Sequence, residues 1–338
     1  MAIAMTNKNL VVCLSVPALL ISLTSCSTPA HSPDEKYYFV AANIKLPYWD
    51  TAKDGFTRGI NSMRVKGEMV GPDTYDPKEE QSEFERVMKL KPSGIMVSAA
   101  DANLLKADIN EAIVDGIPVI TVDADSPESK RLFFVGTNNY EAGHMGGVRL
   151  AELMKNKGNV IVFTMPGQYN LDERLKGYKD ALADHPGIKI TDVIDIKGDP
   201  RVAFDTTQEI ANKRRGSVDA FVCLEASAGQ EVAEVLHRGN ITDKIILAFD
   251  TNDDTMKWVQ QGVIAATIAQ KPWTMSYVAL QMLDQIHHHP PASLDHSFAA
   301  DTFSTLPSFV DTGATLIDRD NIGRFTAEKD ASKQPAQQ

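Results

Sequence analysis

From Tyr37 onward, short unbroken apolar runs alternate with stretches whose apolar residues recur every three or four positions. The first pattern marks strands covered on both faces and the second marks amphipathic helices. Tyr37–Ala42, Glu68–Val70, Gly94–Ser98, Pro118–Val122 and Phe133–Gly136 read as strands. Between them, Thr51–Met63 places Phe56, Ile60 and Met63 on one helical face. A second helix has a clear start, with Asp76 as N-cap, Pro77 at the first helical position and Glu79 three residues after the cap. A third, Asn103–Asp115, stops at Gly116.

The pattern then restarts. Asn159–Thr164, Ile188–Ile194, Ala220–Leu224, Ile245–Phe249 and Ala265–Ile268 read as strands, with helices near Asn139–Lys155, Leu171–Asp184, Val202–Lys213, Ala226–His237 and Thr255–Gln260. Strand, helix and strand repeated this often require right-handed parallel crossovers. A single core stops growing near ~250 residues, so the fold class is α/β with two doubly wound parallel-sheet lobes. A long helix, Trp273–His287, follows the second set and carries the chain back to the first lobe. The expected division is 37–138 with 271–304 for the N-terminal lobe and 139–270 with 305–327 for the C-terminal lobe, joined by a multi-crossover hinge. The charged tail, 328–338, is expected to be disordered.

A different pattern precedes the lobes. Lys8, the apolar run Leu10–Leu23 and Leu23-Thr24-Ser25-Cys26 form a positive end, a short greasy core and small residues before a break. That is a secretion signal over residues 1–25, too short to span a bilayer as a stable helix. The last four residues resemble the lipobox of bacterial lipoproteins, which implies that the Cys26 thiol carries a diacylglyceryl anchor and that 26–36, rich in Ser, Thr and Pro, is a tether. The alternative is an ordinary cleaved signal with a chance Cys. Either way the body works outside the cytoplasm, in the periplasm or at the cell surface.

Charge and cysteine content narrow the partners. Lys and Arg number 34 against 45 Asp and Glu, with no basic stripe, zinc spacing or helix-turn-helix signature to offset the imbalance, so nucleic acid is excluded. Cys13 lies in the signal and Cys26 is the lipidation site, leaving Cys223 alone in an apolar run as a small buried strand residue with no internal disulfide to make.

In doubly wound sheets, ligands sit beyond the carboxyl ends of the strands. At those ends stand Asn43 with Tyr48 and Trp49, then Asp123, then Gln168, Asn170 and Arg174, then Glu225, Asp250 and Gln270. Carboxylates accept from hydroxyls, Arg and amides donate, and an aromatic face covers a sugar's C–H surface, so this set suits a neutral polyhydroxyl ligand. The competing reading for any Asp after a strand, Asp50 and Glu225 above all, is a cap for the next helix. No nucleophile elbow, Gly-x-Gly-x-x-Gly fingerprint or phosphate loop is present, so no catalytic residue and no cofactor is assigned. His287-His288-His289 before Pro290-Pro291 is read as a solvated helix end and no metal site, because adjacent histidines on a helix point in different directions.

Over about Tyr37–Phe325 the chain resembles the periplasmic solute-binding proteins of the ribose and galactose type, which feed ATP-driven sugar importers. The resemblance is carried by ordered blocks: Leu46-Pro47-Tyr48-Trp49, Gly116 to Asp123, Gly136-Thr137-Asn138-Asn139, Asp172 to Tyr178, Ala248-Phe249-Asp250 and Ala265 to Gln270. It implies the type I periplasmic binding protein fold, a monomer, Trp49 stacking on the ligand with Tyr48 beside it, and Asp123, Arg174, Asp250 and Gln270 holding hydroxyls. Departures argue against ribose itself: Ala124 where ribose binders place Arg, Leu46 where they have Asn, Glu225 where Asn is usual, and Lys197-Gly198-Asp199-Pro200 where a second-lobe aromatic is expected. A different monosaccharide, a polyol or an amino sugar fits better. The expected function is therefore a lipid-anchored extracytoplasmic binding protein that closes on a small carbohydrate and presents it to an ABC permease. Two alternatives stand beside it: a sensor presenting its ligand to a chemoreceptor or histidine kinase, and a secreted carbohydrate-active enzyme using Asp123 and Asp250 as acid and base.

Overall fold

The computed structural model describes residues 31–333. The proposed signal, the first five tether residues (26–30, with Cys26) and the last residues of the tail lie outside the described residues. Among those described, no helix is long and apolar enough to cross a membrane.

The N-terminal half forms β1 (Lys36–Val40), α1 (Pro47–Met63), β2 (Lys66–Val70), α2 (Pro77–Met88), β3 (Gly94–Val97), α3 (Lys106–Val114), β4 (Val119–Val122) and β5 (Phe134–Gly136). β3 and β4 are buried at every position, which explains their unbroken apolar sequences. α1 starts directly before its aromatic pair and four residues ahead of the expected Thr51, because Pro47 already has the helical φ, and it buries Phe56, Ile60 and Met63 on the face the sequence predicts. Asp76 caps α2, its carboxylate accepting from the N–H groups of Lys78 and Glu79 at 2.9 and 3.1 Å.

The second half repeats the plan with α4 (Asn139–Met154), β6 (Gly158–Thr164), α5 (Tyr169–Leu182), β7 (Ile188–Asp195), α6 (Pro200–Lys213), β8 (Ala220–Cys223), α7 (Ala228–Arg238), β9 (Ile245–Phe249), α8 (Asp253–Gln261) and β10 (Ala266–Ala269). The sheets are ordered β2-β1-β3-β4-β5 and β7-β6-β8-β9-β10, every one of these pairs parallel. Each lobe has its own core of buried apolar side chains. Cys223 is fully buried in β8, and burial pushes its thiol well above the usual range.

The chain then returns. α9 (Pro272–His288) packs on α1 and the N-terminal sheet, and β11 (Phe309–Asp311) extends that sheet beside β5, Phe309 opposite Phe134. β12 (Thr315–Asp318) pairs antiparallel with β10 and ends the second sheet. The last crossover thus lies between Asp311 and Thr315, and not at 304–305 as the sequence reading placed it. Residues 305–311 belong to the N-terminal lobe because a three-residue edge strand is held by its neighbour's ladder and carries no pattern of its own. α10 (Ile322–Lys333) continues past Glu328, so residues 328–333 are helical where composition led us to expect disorder.

Candidate ligand-binding cleft

β4 and β9 are the fourth strands of their lobes, and both end in Asp. Asp123 (φ +70°) and Asp250 (φ +68°) both occupy the left-handed region, which Asp tolerates better than most side chains. Each backbone N–H donates to the next strand, Asp123 to Val135 O at 3.1 Å and Asp250 to Ile268 O at 2.8 Å. Two chain reversals of the same hand thus bring a carboxylate from each lobe to one cavity of about 270 Å³.

Arg174 enters from the first turns of α5. Its position depends on close packing of α4 on α5, since a Cβ on Gly143 would lie 2.1 Å from Arg174 O and one on Gly177 2.1 Å from Tyr140 O. The guanidinium is 2 % exposed, donates from Nε to Asn139 Oδ1 at 2.8 Å and from Nη1 to Leu224 O at 2.7 Å, and lies 4.4 Å from the Phe249 ring centre. Among the described residues its Nη2 is buried with no hydrogen-bond partner. Gln270 donates from Nε2 to Asp250 Oδ1 at 2.9 Å, and its Oε1 is likewise buried and unpartnered. An unpaired buried donor and acceptor cost free energy unless something else meets them, so this wall calls for a ligand bearing both an acceptor and a donor.

Three buried carboxylates share this guanidinium. Burial pushes Asp250 up to about 7, against the pull of Arg174 and the Gln270 hydrogen bond, and Asp123 and Glu225 raise it further. Asp123 is also raised by burial, opposed by hydrogen bonds from Tyr48 at 2.5 Å and Ser98 at 3.4 Å and by Arg174. Glu225 is raised by burial, opposed by the N–H groups of Ser227 and Ala228, the Ser227 hydroxyl and Arg174. Those three hydrogen bonds, at 2.7, 2.5 and 2.9 Å, open α7, so the capping reading of Glu225 describes its contacts even though it also lines the cavity.

All ten side chains placed at the strand ends from sequence border this one cavity: Asn43, Tyr48, Trp49 and Asp123 from the N-terminal lobe, and Gln168, Asn170, Arg174, Glu225, Asp250 and Gln270 from the C-terminal lobe. They do not stand there alike. Trp49 is 5 % exposed and packs edge-on against Phe39 and Tyr48 at ring distances of 5.9 and 5.3 Å, so it is a core residue as much as a cleft residue. Tyr48 is more open and holds Asp123. Asn43 spends its Oδ1 on the N–H groups of Lys45 and Leu46, shaping the turn into α1. Asn170 Oδ1 accepts from Leu171 N.

Two features escaped the sequence reading. Tyr75 lines the cavity from the loop before α2 and packs over Gly198 (φ +73°), where a Cβ would lie 2.4 Å from Tyr75 Cβ. The aromatic missing from the second lobe is therefore met by one reaching across from the first. Behind Asp123, Asp125 and Arg131 form a buried two-pronged ion pair at 2.5 and 2.6 Å, which Thr121 and Ser126 also join. Removing one partner of such a pair costs about 3–5 kcal/mol, so it firmly fixes the turn that carries Asp123. Tyr75 reaches Gly198 only through the fold, and Asp125 and Arg131, six positions apart in one loop, have no helical or strand periodicity to mark them as partners.

Residues 37–288 match the family described as Periplasmic binding protein domain. The ribose import binding protein of Bacillus subtilis is 22% identical over 285 residues, 80% of this chain and 90% of that protein. The solved structure of AraP, an arabinose binding protein from Geobacillus stearothermophilus, superposes with a TM-score of 0.70 at 35% identity, covering 87% of this chain and 99% of that one. A chain of the XylFII–LytSN complex superposes with a TM-score of 0.75 at 26% identity, covering 85% and 98%.

Proposed function

The chain belongs to the periplasmic binding protein family, whose relatives here are sugar-binding import proteins, and from that premise we propose that it binds a neutral monosaccharide or polyol outside the cytoplasm and delivers it to an ABC importer by lobe closure. The observation that carries this reading is the unsatisfied pair on the C-terminal wall, the buried Arg174 Nη2 and Gln270 Oε1, in two residues that line a cavity whose other wall includes Tyr48 and Asp123. Adjacent hydroxyls satisfy both, since each donates and accepts. Three buried carboxylates against one guanidinium disfavour uronates and sugar phosphates, because a further negative charge would be desolvated beside them. Closure follows from ligand contacts that exist only when both lobes reach it. The Asp pair serves as hydroxyl acceptors in this reading, and the ligand leaves chemically unchanged.

Cys26 is the proposed lipid anchor, supported by Leu23-Thr24-Ser25-Cys26. Cys26→Ala should abolish lipid labelling and either release the protein from membranes or leave an unprocessed precursor. Equal labelling in both forms overturns the anchor.

Thermal unfolding of the purified protein against a library of pentoses, hexoses, inositols, amino sugars, uronates and sugar phosphates tests the binding assignment. A ligand at a hundredfold excess over its Kd stabilises by about 2.7 kcal/mol, a readily seen shift. Neutral sugars or polyols should raise the melting temperature and be recovered intact. A response confined to anions, or turnover of the ligand, overturns the reading.

The XylFII–LytSN complex places a relative of the same fold against a second protein, and this favours the sensor as the second reading. Deleting the gene should abolish uptake of the labelled ligand. Intact uptake with a lost transcriptional response would assign the sensor role.

A further inference from the structure

At the far end of the N-terminal lobe from the cleft, four metal-binding side chains converge. His31 and Glu35 come from the segment entering β1, Asp284 and His288 from the last turn of α9. One ligand atom from each lies within 4.8 Å of all the others. His31 Nε2 is 3.1 Å from Asp284 Oδ2, and His288 Nε2 is 3.2 Å from Glu35 Oε2 and 3.6 Å from Asp284 Oδ1. A tetrahedral ion with bonds of 2.0–2.1 Å separates its ligands by about 3.3 Å, so the His31–Asp284 Oδ2 and His288–Glu35 Oε2 pairs already stand near that spacing.

The surroundings are those of a metal site. The Asp284 and Glu35 side chains are 3 % and 8 % exposed, while His31 and His288 are 18 % and 27 % exposed, giving a buried anionic floor with an entrance between two imidazoles. Each carboxylate is oriented from behind: the Tyr37 hydroxyl donates to Asp284 Oδ1 at 2.9 Å, and Ser32 N–H donates to Glu35 Oε1 at 2.6 Å. Asp284 and His288 stand four residues apart on one helix face, the spacing that adjacent histidines lack. His287 turns instead to the Tyr37 ring, 6.1 Å away, and His289 is exposed. The helix end is thus solvated at His289 but not throughout: His288 has Glu35 as a partner, 253 positions earlier in the chain, which spacing along the helix does not reveal.

We propose that His31, Glu35, Asp284 and His288 bind one zinc ion, which clasps the segment entering the fold to the end of α9. Two imidazoles and two carboxylates match the tetrahedral N/O set that zinc takes, whereas calcium and magnesium call for oxygen ligands throughout. The helix separates this site from Gln270 by about 25 Å at 1.5 Å per residue, so zinc and ligand in the cleft should bind independently.

The test uses the full chain without a histidine tag, stripped with a chelator and titrated with zinc against a chromophoric competitor. One zinc per chain should bind and raise the melting temperature. His31→Gln and His288→Gln should each weaken zinc binding about 100-fold or more, and His289→Gln should leave it unchanged. His31 lies at the edge of the fold, so its variant keeps the test informative should His288→Gln fail to fold. Zinc affinity unchanged in His31→Gln, or a wild type that melts identically in zinc and in chelator, would overturn the proposal and leave a hydrogen-bonded cluster only.

Discussion

The two walls of the cleft are built on one plan and finished differently. Each lobe ends its fourth strand with an Asp in the same left-handed conformation and ties that Asp to the neighbouring strand by the same backbone hydrogen bond. In the N-terminal lobe the carboxylate is then met from within, by Tyr48 and Ser98. In the C-terminal lobe, among the described residues, the Asp250 carboxylate is bonded only to Gln270, and both Gln270 and Arg174 keep an atom unpartnered. The difference teaches that symmetry of backbone need not mean symmetry of binding. The N-terminal carboxylate has its partners within its own lobe, whereas the C-terminal wall leaves an Arg donor and a Gln acceptor for the ligand proposed above.

The comparison makes its largest prediction at Arg174. Arg174→Met removes the free donor and leaves three buried carboxylates without a counter-charge, so ligand affinity measured by calorimetry should fall more than about 100-fold. Asn139 Oδ1 and Leu224 O also lose their donor, so the melting temperature should drop. On the opposite wall, Tyr48→Phe deletes one hydrogen bond to a carboxylate that keeps Ser98 as a partner, and the expected loss is about tenfold or less, near 1 kcal/mol. A Tyr48→Phe loss as large as that of Arg174→Met would reverse the assignment of the two walls.

Proton linkage sharpens the contrast further. Asp250 titrates near 7 in the folded protein against ~3.9 unfolded, so the folded state holds the proton more tightly. Its contribution to stability is complete below about pH 4 and is lost as pH rises through 7. The melting temperature of the ligand-free protein should therefore fall more steeply between pH 5 and 8 than that of Asp250→Asn. Asp123 and Glu225 shift in the same direction, so some slope should persist in the variant. Parallel slopes would mean that Asp250 stays ionised throughout. The smallest expected signal is optical: ligand should perturb Trp49 emission only modestly, because the ring is largely in the core, and Trp49→Phe should remove the change while Trp273→Phe keeps it.

How far the chain could be read beforehand depended on whether a feature was local. Strand ends were legible because an apolar run closed by Asp is a contiguous pattern, which is why Asp123 and Asp250 were located without any structure. The helix start at Asp76 follows from the capping preference of a single residue, whereas α1 begins at Pro47, four residues before the Thr51 start expected from its apolar face. β11 and β12 were missed because strands of three and four residues exist only through the ladder of an older strand. Tyr75 over Gly198 and the His31–His288 cluster rest on tertiary proximity, which spacing cannot encode, and the Asp125–Arg131 pair lies within one irregular loop that has no periodicity to reveal it. Glu225 shows a further limit: cap and cavity lining are compatible roles, and sequence offered them as alternatives.

The central claim is that a neutral sugar or polyol completes the C-terminal wall of this cleft. It is tested most directly by calorimetric titration of the ligand identified in the thermal screen into wild type and Asp250→Ala. Loss of a charge-assisted hydrogen bond from a buried site, 1.5 to 3 kcal/mol, predicts affinity about tenfold to a hundredfold weaker in a variant that remains folded. Equal affinity in the two proteins would make Asp250 a strand-end turn residue and would contradict the cleft as drawn here.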